Sequence, residues 1–333
     1  MESRSTYKLV GVSQKASRGI RNGPEPAAQQ RGVVDDPSAP LASPSRTSTS
    51  NALRPYLWML SGCFSFAIMG TLTHALNTSI DWRIIALSRT CMAFLLTGLG
   101  AVVVGARLVL WGPRTLWTRS LAGSVSLVCT FFAFTRLPVS DVLTLTNLFP
   151  IWVAILSWPL LKEPPSGQVW LSVVISVAGM VLIQQPHFAE GNFVSVIALV
   201  SSFFTAIAMI GLHRIEGVDA PAIVVHFSGV SILFCFAALL FFDQETALPF
   251  TAEGWPLVML LGVGISATIG QLFLTKAFAA GPPARISVVG LSQIVFAMAF
   301  EVVFLHRSFN PSTLLGIALV IASTAWLMVR RMR

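Results

Sequence analysis

The chain has 333 residues, 54% of them apolar and only 11% charged, and its mean hydropathy of +0.75 is that of a protein that lives in lipid. After residue 54 no polar stretch is long enough to fold as a soluble domain, so soluble catalytic domains are excluded. The formal net charge of +8 comes from basic residues scattered over short loops, without the aromatic-interleaved patch of a nucleic-acid surface.

Residues 1–54 are rich in Ser, Pro, Gly and Arg and hold no long apolar run, so they cannot bury enough surface to offset their ordering entropy. They are expected to form a disordered cytoplasmic tail. No continuous hydrophobic region of a secretory signal occurs there, and Glu2, Glu25, Asp35 and Asp36 oppose an organellar transit peptide. From Tyr56 onward, ten apolar stretches of about 20 residues follow one another, each long enough to cross about 30 Å of hydrocarbon as a helix. They run over 56–76, 82–104, 117–137, 140–161, 168–185, 192–213, 220–242, 255–279, 283–305 and 310–329. Proline-bearing turns separate several of them: Lys162-Glu163-Pro164-Pro165, Gln185-Pro186 and Gly281-Pro282-Pro283. Trp82 and Trp255 stand at span ends, where an interfacial aromatic belt belongs. With both termini in the cytoplasm, 18 Lys and Arg fall inside, Arg107, Arg114 and Arg119 among them, against Arg83, Arg136 and Arg307 outside. The positive-inside rule therefore predicts an N-in, C-in chain.

A long-range duplication runs through these spans. Residues 133–166 and 277–310 share one plan at a constant offset of 144: Ala133 meets Ala277, Phe134 meets Phe278, Pro138 meets Pro282 and Leu161 meets Leu305. Leu171 with Leu315 and Ala178 with Ala322 extend it. A half of five spans is odd, so its second copy enters the membrane from the opposite side, which is the architecture of alternating access. The expected fold class is an all-α membrane protein of ten transmembrane helices built as two inverted five-helix repeats. Its parts are the tail (1–54), a first repeat (55–190) and a second repeat (191–333).

Phe149-Pro150-Ile151-Trp152 followed by Leu160-Leu161-Lys162-Glu163, within a five-plus-five plan, resembles an EamA-type member of the drug/metabolite transporter superfamily over about residues 55–330. Pro150, Glu163, Gly167, Gln168 and Gly179 stand at the family's fourth- and fifth-span positions. The second half departs from the pattern, with Ile294 where the proline would be and Arg307 where the glutamate would be. The resemblance implies transport of small organic metabolites and names no single compound.

Polar groups at membrane depth mark the substrate-pathway candidates, because a charge at a span centre costs about 2.5–3.5 kcal/mol on insertion scales. Arg89 sits about two turns into the second span and reads equally as an anchor for a carboxylate or phosphate and as a structural link, to Glu301 for example. Glu301 in the ninth span reads as a coupling carboxylate or as a partner of Arg307. Asn147 stands three residues before Pro150, whose ring frees a backbone carbonyl, so the pair is a candidate substrate contact. Gln271 and Gln293 offer amides on the eighth and ninth spans, as ligands or as glue between helices. Gly262, Gly264 and Gly270 allow close helix approach.

Cys63, Cys91, Cys129 and Cys235 lie in apolar runs as small core residues, and His74 and His226 lack a metal-spaced partner. No catalytic motif falls in the spans, so the chain reads as no enzyme, with no cofactor and no metal. The function expected is secondary-active transport of a small-molecule metabolite by export or exchange in the cell membrane. The alternative is a non-transporting membrane scaffold or regulator on the same fold. The partners are the metabolite and the lipid bilayer, with no nucleic acid; a homodimer is compatible with the chain.

Overall fold

The computed structural model describes residues 47–76, 80–133, 136–137, 139–186, 193–241, 254–305 and 310–329, all in one compact unit. The tail expected at 1–54 lies outside the described residues up to position 46. Among the described residues there are twelve α-helices and no strand: α1 (Thr47–Leu76), α2 (Trp82–Val104), α3 (Arg114–Ala133), α4 (Val139–Thr146), α5 (Phe149–Leu161), α6 (Gly167–Gln184), α7 (Phe193–His213), α8 (Ala220–Phe241), α9 (Trp255–Ala280), α10 (Pro283–Gly290), α11 (Ser292–Leu305) and α12 (Pro311–Val329). They supply ten stretches long and apolar enough to cross a membrane.

Local chemistry sets the ends. Lys162 and Gln185 close α5 and α6 with positive φ of 58° and 44°, and prolines follow both. Asp81 caps α2, its carboxylate accepting from the Arg83 N–H at 2.8 Å and from the Arg83 guanidinium at 2.8 Å. Burial alone would push the Asp81 carboxyl up, but the hydrogen bonds and charge of Arg83 outweigh it and hold the group below its ordinary range. A carboxyl depressed on folding contributes stability above its unfolded pKa and loses it as pH falls through the folded value. Asp81→Asn keeps a capping acceptor but loses the ion pair with Arg83, and is therefore expected to cost about 1 kcal/mol at neutral pH. It should also flatten the fall of the thermal midpoint between neutral pH and pH 3, and equal slopes in the two proteins would refute the role.

Two spans read as single helices are broken. The stretch 140–161 is interrupted at Asn147-Leu148, between α4 and α5, and the stretch 283–305 at Leu291, between α10 and α11. The first break has a plain cause: Pro150 has no N–H to give the Thr146 carbonyl, and its ring crowds that oxygen. The chain turns tightly there, with Leu148 N–H on Leu145 O at 3.3 Å and Ile151 N–H on Leu148 O at 3.0 Å. The second break comes without a proline. Ile294 donates to Leu291 O at 3.1 Å, and the Cys63 thiol from α1 lies 3.4 Å from Gly290 O and 3.7 Å from Val289 O. The two interruptions, at 147 and 291, are 144 residues apart.

Helix packing obeys the same exchange. Replace α1–α6 by α7–α12 in order, and α1 on α9 becomes α7 on α3, α3 on α8 becomes α9 on α2, and α1 on α11 becomes α7 on α5; α2 on α8 and α6 on α12 map to themselves. Lipid provides no hydrophobic drive between helices, so the contacts rely on small residues and hydroxyls. A Cβ at Gly270 would lie 2.9 Å from the Phe66 ring of α1, and one at Gly262 2.8 Å from Leu72, while Gly264 faces Met92 of α2. Hydroxyl pairs join α3 to its neighbours: Ser124 with Ser231 at 2.8 Å, and Ser126 with Thr205 at 2.6 Å.

Candidate functional site

The two breaks meet. A Cβ placed on Gly290, the last residue of α10, would lie 2.8 Å from Cε of Met59 and 3.4 Å from Cζ of Phe149, the first residue of α5. Leu148 and Leu291, the residues at the interruptions, share one apolar cluster with Met180 and Ile183 of α6 and Val320 of α12. Each break leaves the first turn of a following helix, at Phe149 and at Ser292, with backbone donors that have no partner within the helix.

Four of the six sequence candidates come to, or near, this crossing. Asn147 occupies the first break, half-buried, with its Nδ2 on Leu143 O at 2.8 Å and its Oδ1 without a partner among the described residues. Pro150 is buried and makes the break. Gln293 stands in the first turn of α11, beside the carbonyls that Cys63 covers, and its side-chain amide has no described partner. Gln271 is 7% exposed on α9, next to the Gly270 contact with α1, and its amide is likewise unpaired among the described residues. An unpaired amide in a bundle favours the ligand reading over that of helix glue. Close by, Leu60, Ser61, Phe64 and Ser65 of α1, Phe273 of α9 and Phe296 of α11 line a cleft of about 390 Å³.

Arg89 is elsewhere. Half-buried on α2, its Cζ lies 5.8 Å from the Phe131 ring centroid on α3, and no described carboxylate pairs with it. The side chain of Glu301 lies outside the described residues, as does Arg307, so the proposed pairings of Glu301 fall there too. Arg119, counted above as a loop charge, is instead buried in the second turn of α3. Its neighbours on α8 gave no motif to find it by. Cys63, a small core residue by its place in an apolar run, lies against a helix break, a position with no signature along the chain.

A family model described as "EamA-like transporter family" matches the chain twice, over residues 53–185 and 192–329. The chain is similar to the pseudopaline exporter CntI of Pseudomonas aeruginosa, 25% identical over 78% of this chain and 90% of that protein. It is 28% identical to the probable transport protein YPL264C of Saccharomyces cerevisiae, covering 66% of this chain and 70% of that one. Solute carrier family 35 member G1 of Homo sapiens is 23% identical over 64% of this chain and 61% of its own length. A solved crystal structure superimposes with a TM-score of 0.71 at 16% identity, covering 85% of this chain and 99% of that one, a likeness that speaks for the fold.

Proposed function

Because the chain belongs to the EamA-like transporter family, we propose that it is a secondary-active transporter, carrying a small polar or amphipathic metabolite by alternating access between two inverted five-span halves. The family match and the names of its relatives support membrane transport as such. One asymmetry supports the mechanism. Packing of Pro55 at Gly281, of His213 on the Phe278 carbonyl at 3.0 Å, and of Gly211 on Arg119 identifies one end of the bundle. At that end α10 lies against α5, whereas among the described residues their exchange partners at the other end, α4 and α11, make at most marginal contact. A bundle whose two halves pack alike except for closure at one end reads as one state of a two-state exchange.

In this reading Asn147, Gln293 and Gln271 hold the polar groups of the substrate and Pro150 maintains the gap. Arg89 is the charged candidate nearer the other end. The N-in, C-in orientation rests on the basic residues of the loops, and the cell membrane is the site of transport in the same reading. The test is thermal stabilisation of the purified full chain across a metabolite library, wild type beside Arg89→Ala, followed by counterflow in proteoliposomes for each stabilising compound. A compound that raises the midpoint and exchanges saturably establishes the reading. Binding with counterflow no faster than in empty liposomes turns the protein into a membrane regulator.

A further inference from the structure

A positive charge lies buried at the closed end of the bundle, with no hydrogen bond from its Nε or Nη1 among the described residues. It is Arg119, 1% exposed. No described carboxylate pairs with it. Its Cζ lies 4.0 Å from the centroid of the Phe227 ring on α8. The space it occupies is kept by glycine: a Cβ at Gly123 would fall 2.6 Å from Nη1 and 2.8 Å from the Phe227 ring. On α7, a Cβ at Gly211 would be 3.4 Å from the Arg119 backbone nitrogen. Beside it the His226 Nδ1 is 2.8 Å from the Ser120 hydroxyl, and the His226 ring meets Trp117 edge-on at 4.7 Å between centroids.

A guanidinium taken from water without a counter-ion is strongly disfavoured, and a cation–π contact recovers only part of that loss. An apolar side chain of the same length would pack this closed end better, so the charge has its use in the state where the end opens. In a state that uncovers this end, a fork of N–H donors with a hydroxyl and an imidazole beside it would face the opening. That is the donor set for an oxyanion, since guanidinium matches carboxylate and phosphate in two parallel hydrogen bonds. We propose that Arg119 is a binding residue for an oxyanion, a carboxylate or phosphate, that enters from the Gly281 end of the bundle. This rests on the alternating-access reading and makes the carried molecule an anion, unless the oxyanion belongs to a lipid headgroup.

The experiment uses the full chain in phosphatidylcholine nanodiscs, with sodium citrate or inorganic phosphate compared with sodium chloride at equal ionic strength. At least one of the two oxyanions is expected to raise the wild-type thermal midpoint by about 5 °C. Arg119→Met should begin at or above the wild-type midpoint and not respond, and Arg119→Lys, which keeps the charge but loses the fork, should respond less. Discs containing phosphatidylglycerol that give the same Arg119-dependent rise without soluble anion assign the oxyanion to the headgroup. A full response in Arg119→Met overturns the proposal. So does a wild type indifferent to both anions and to phosphatidylglycerol; where its midpoint also falls in Arg119→Met and returns in Arg119→Lys, the residue is a structural cation. Counterflow separates the two readings: exchange of a neutral metabolite without any anion response removes the anion site and keeps transport. An Arg119-dependent response without exchange of any compound keeps the site and removes transport.

Discussion

Gly316→Val is expected to destabilise the protein by about 3 kcal/mol or more, among the largest losses available to a single substitution here. A Cβ at Gly316 would stand 2.5 Å from the Gly179 carbonyl oxygen and 3.1 Å from the Ile183 backbone nitrogen, and a Cβ at Gly179 would stand 2.7 Å from the Gly316 carbonyl oxygen. The obstructing atoms are backbone, so no rotamer change relieves them; α6 and α12 must separate. Their separation would also strain the hydrogen bond between Ser176 and Ser323 and disturb the cluster of Met180, Ile183 and Val320 that receives Leu148 and Leu291. Gly98→Ala and Gly100→Ala in α2 are the controls. Nothing lies within 4 Å of a Cβ at either, so alanine should be neutral or stabilising by up to about 1 kcal/mol. Thermal midpoints in detergent decide it. A Gly316→Val protein within about 1 °C of wild type, where 1 kcal/mol moves a midpoint by a few degrees, would mean that the two helices do not meet here.

The double substitution Asn147→Leu with Gln293→Leu is expected to lower counterflow about 100-fold while leaving the midpoint nearly unchanged. The two side chains stand at the two helix breaks, and neither the Asn147 Oδ1 nor the Gln293 amide bonds to a described residue, so the bundle gives up little when they go. A substrate held by them would lose two polar partners. Each buried group left unpaired costs about 1–3 kcal/mol, and every 1.4 kcal/mol is tenfold. Each single variant should fall between wild type and the double. A double variant that exchanges at the wild-type rate would place the substrate elsewhere, and one whose midpoint collapses would make the amides glue between helices.

Ten spans were legible along the chain because lipid demands it: a backbone in hydrocarbon must satisfy its own hydrogen bonds, and the length of an apolar run then gives the helix. The described helices start at Trp82 and Trp255 and stop before Pro164 and Pro186 for reasons carried by those residues and their neighbours. The break at Pro150 was half legible. Its freed carbonyl followed from the ring, whereas the division of the span into two helices did not.

What the tertiary structure alone decided are the features that need two distant segments at once. Leu291 is a break although Ile294 replaces the proline, at the point where α1 brings the Cys63 thiol to the carbonyls of Val289 and Gly290, more than 220 residues away in the chain. Arg119 reads as an ordinary charge near a span end until α7 and α8 close over it. Gly179 and Gly316 are two glycines among 24 until their carbonyls face each other. An apolar run specifies a helix through contacts within itself, so the chain records it locally. Which helices touch depends on packing between them, and no stretch of the sequence carries that alone.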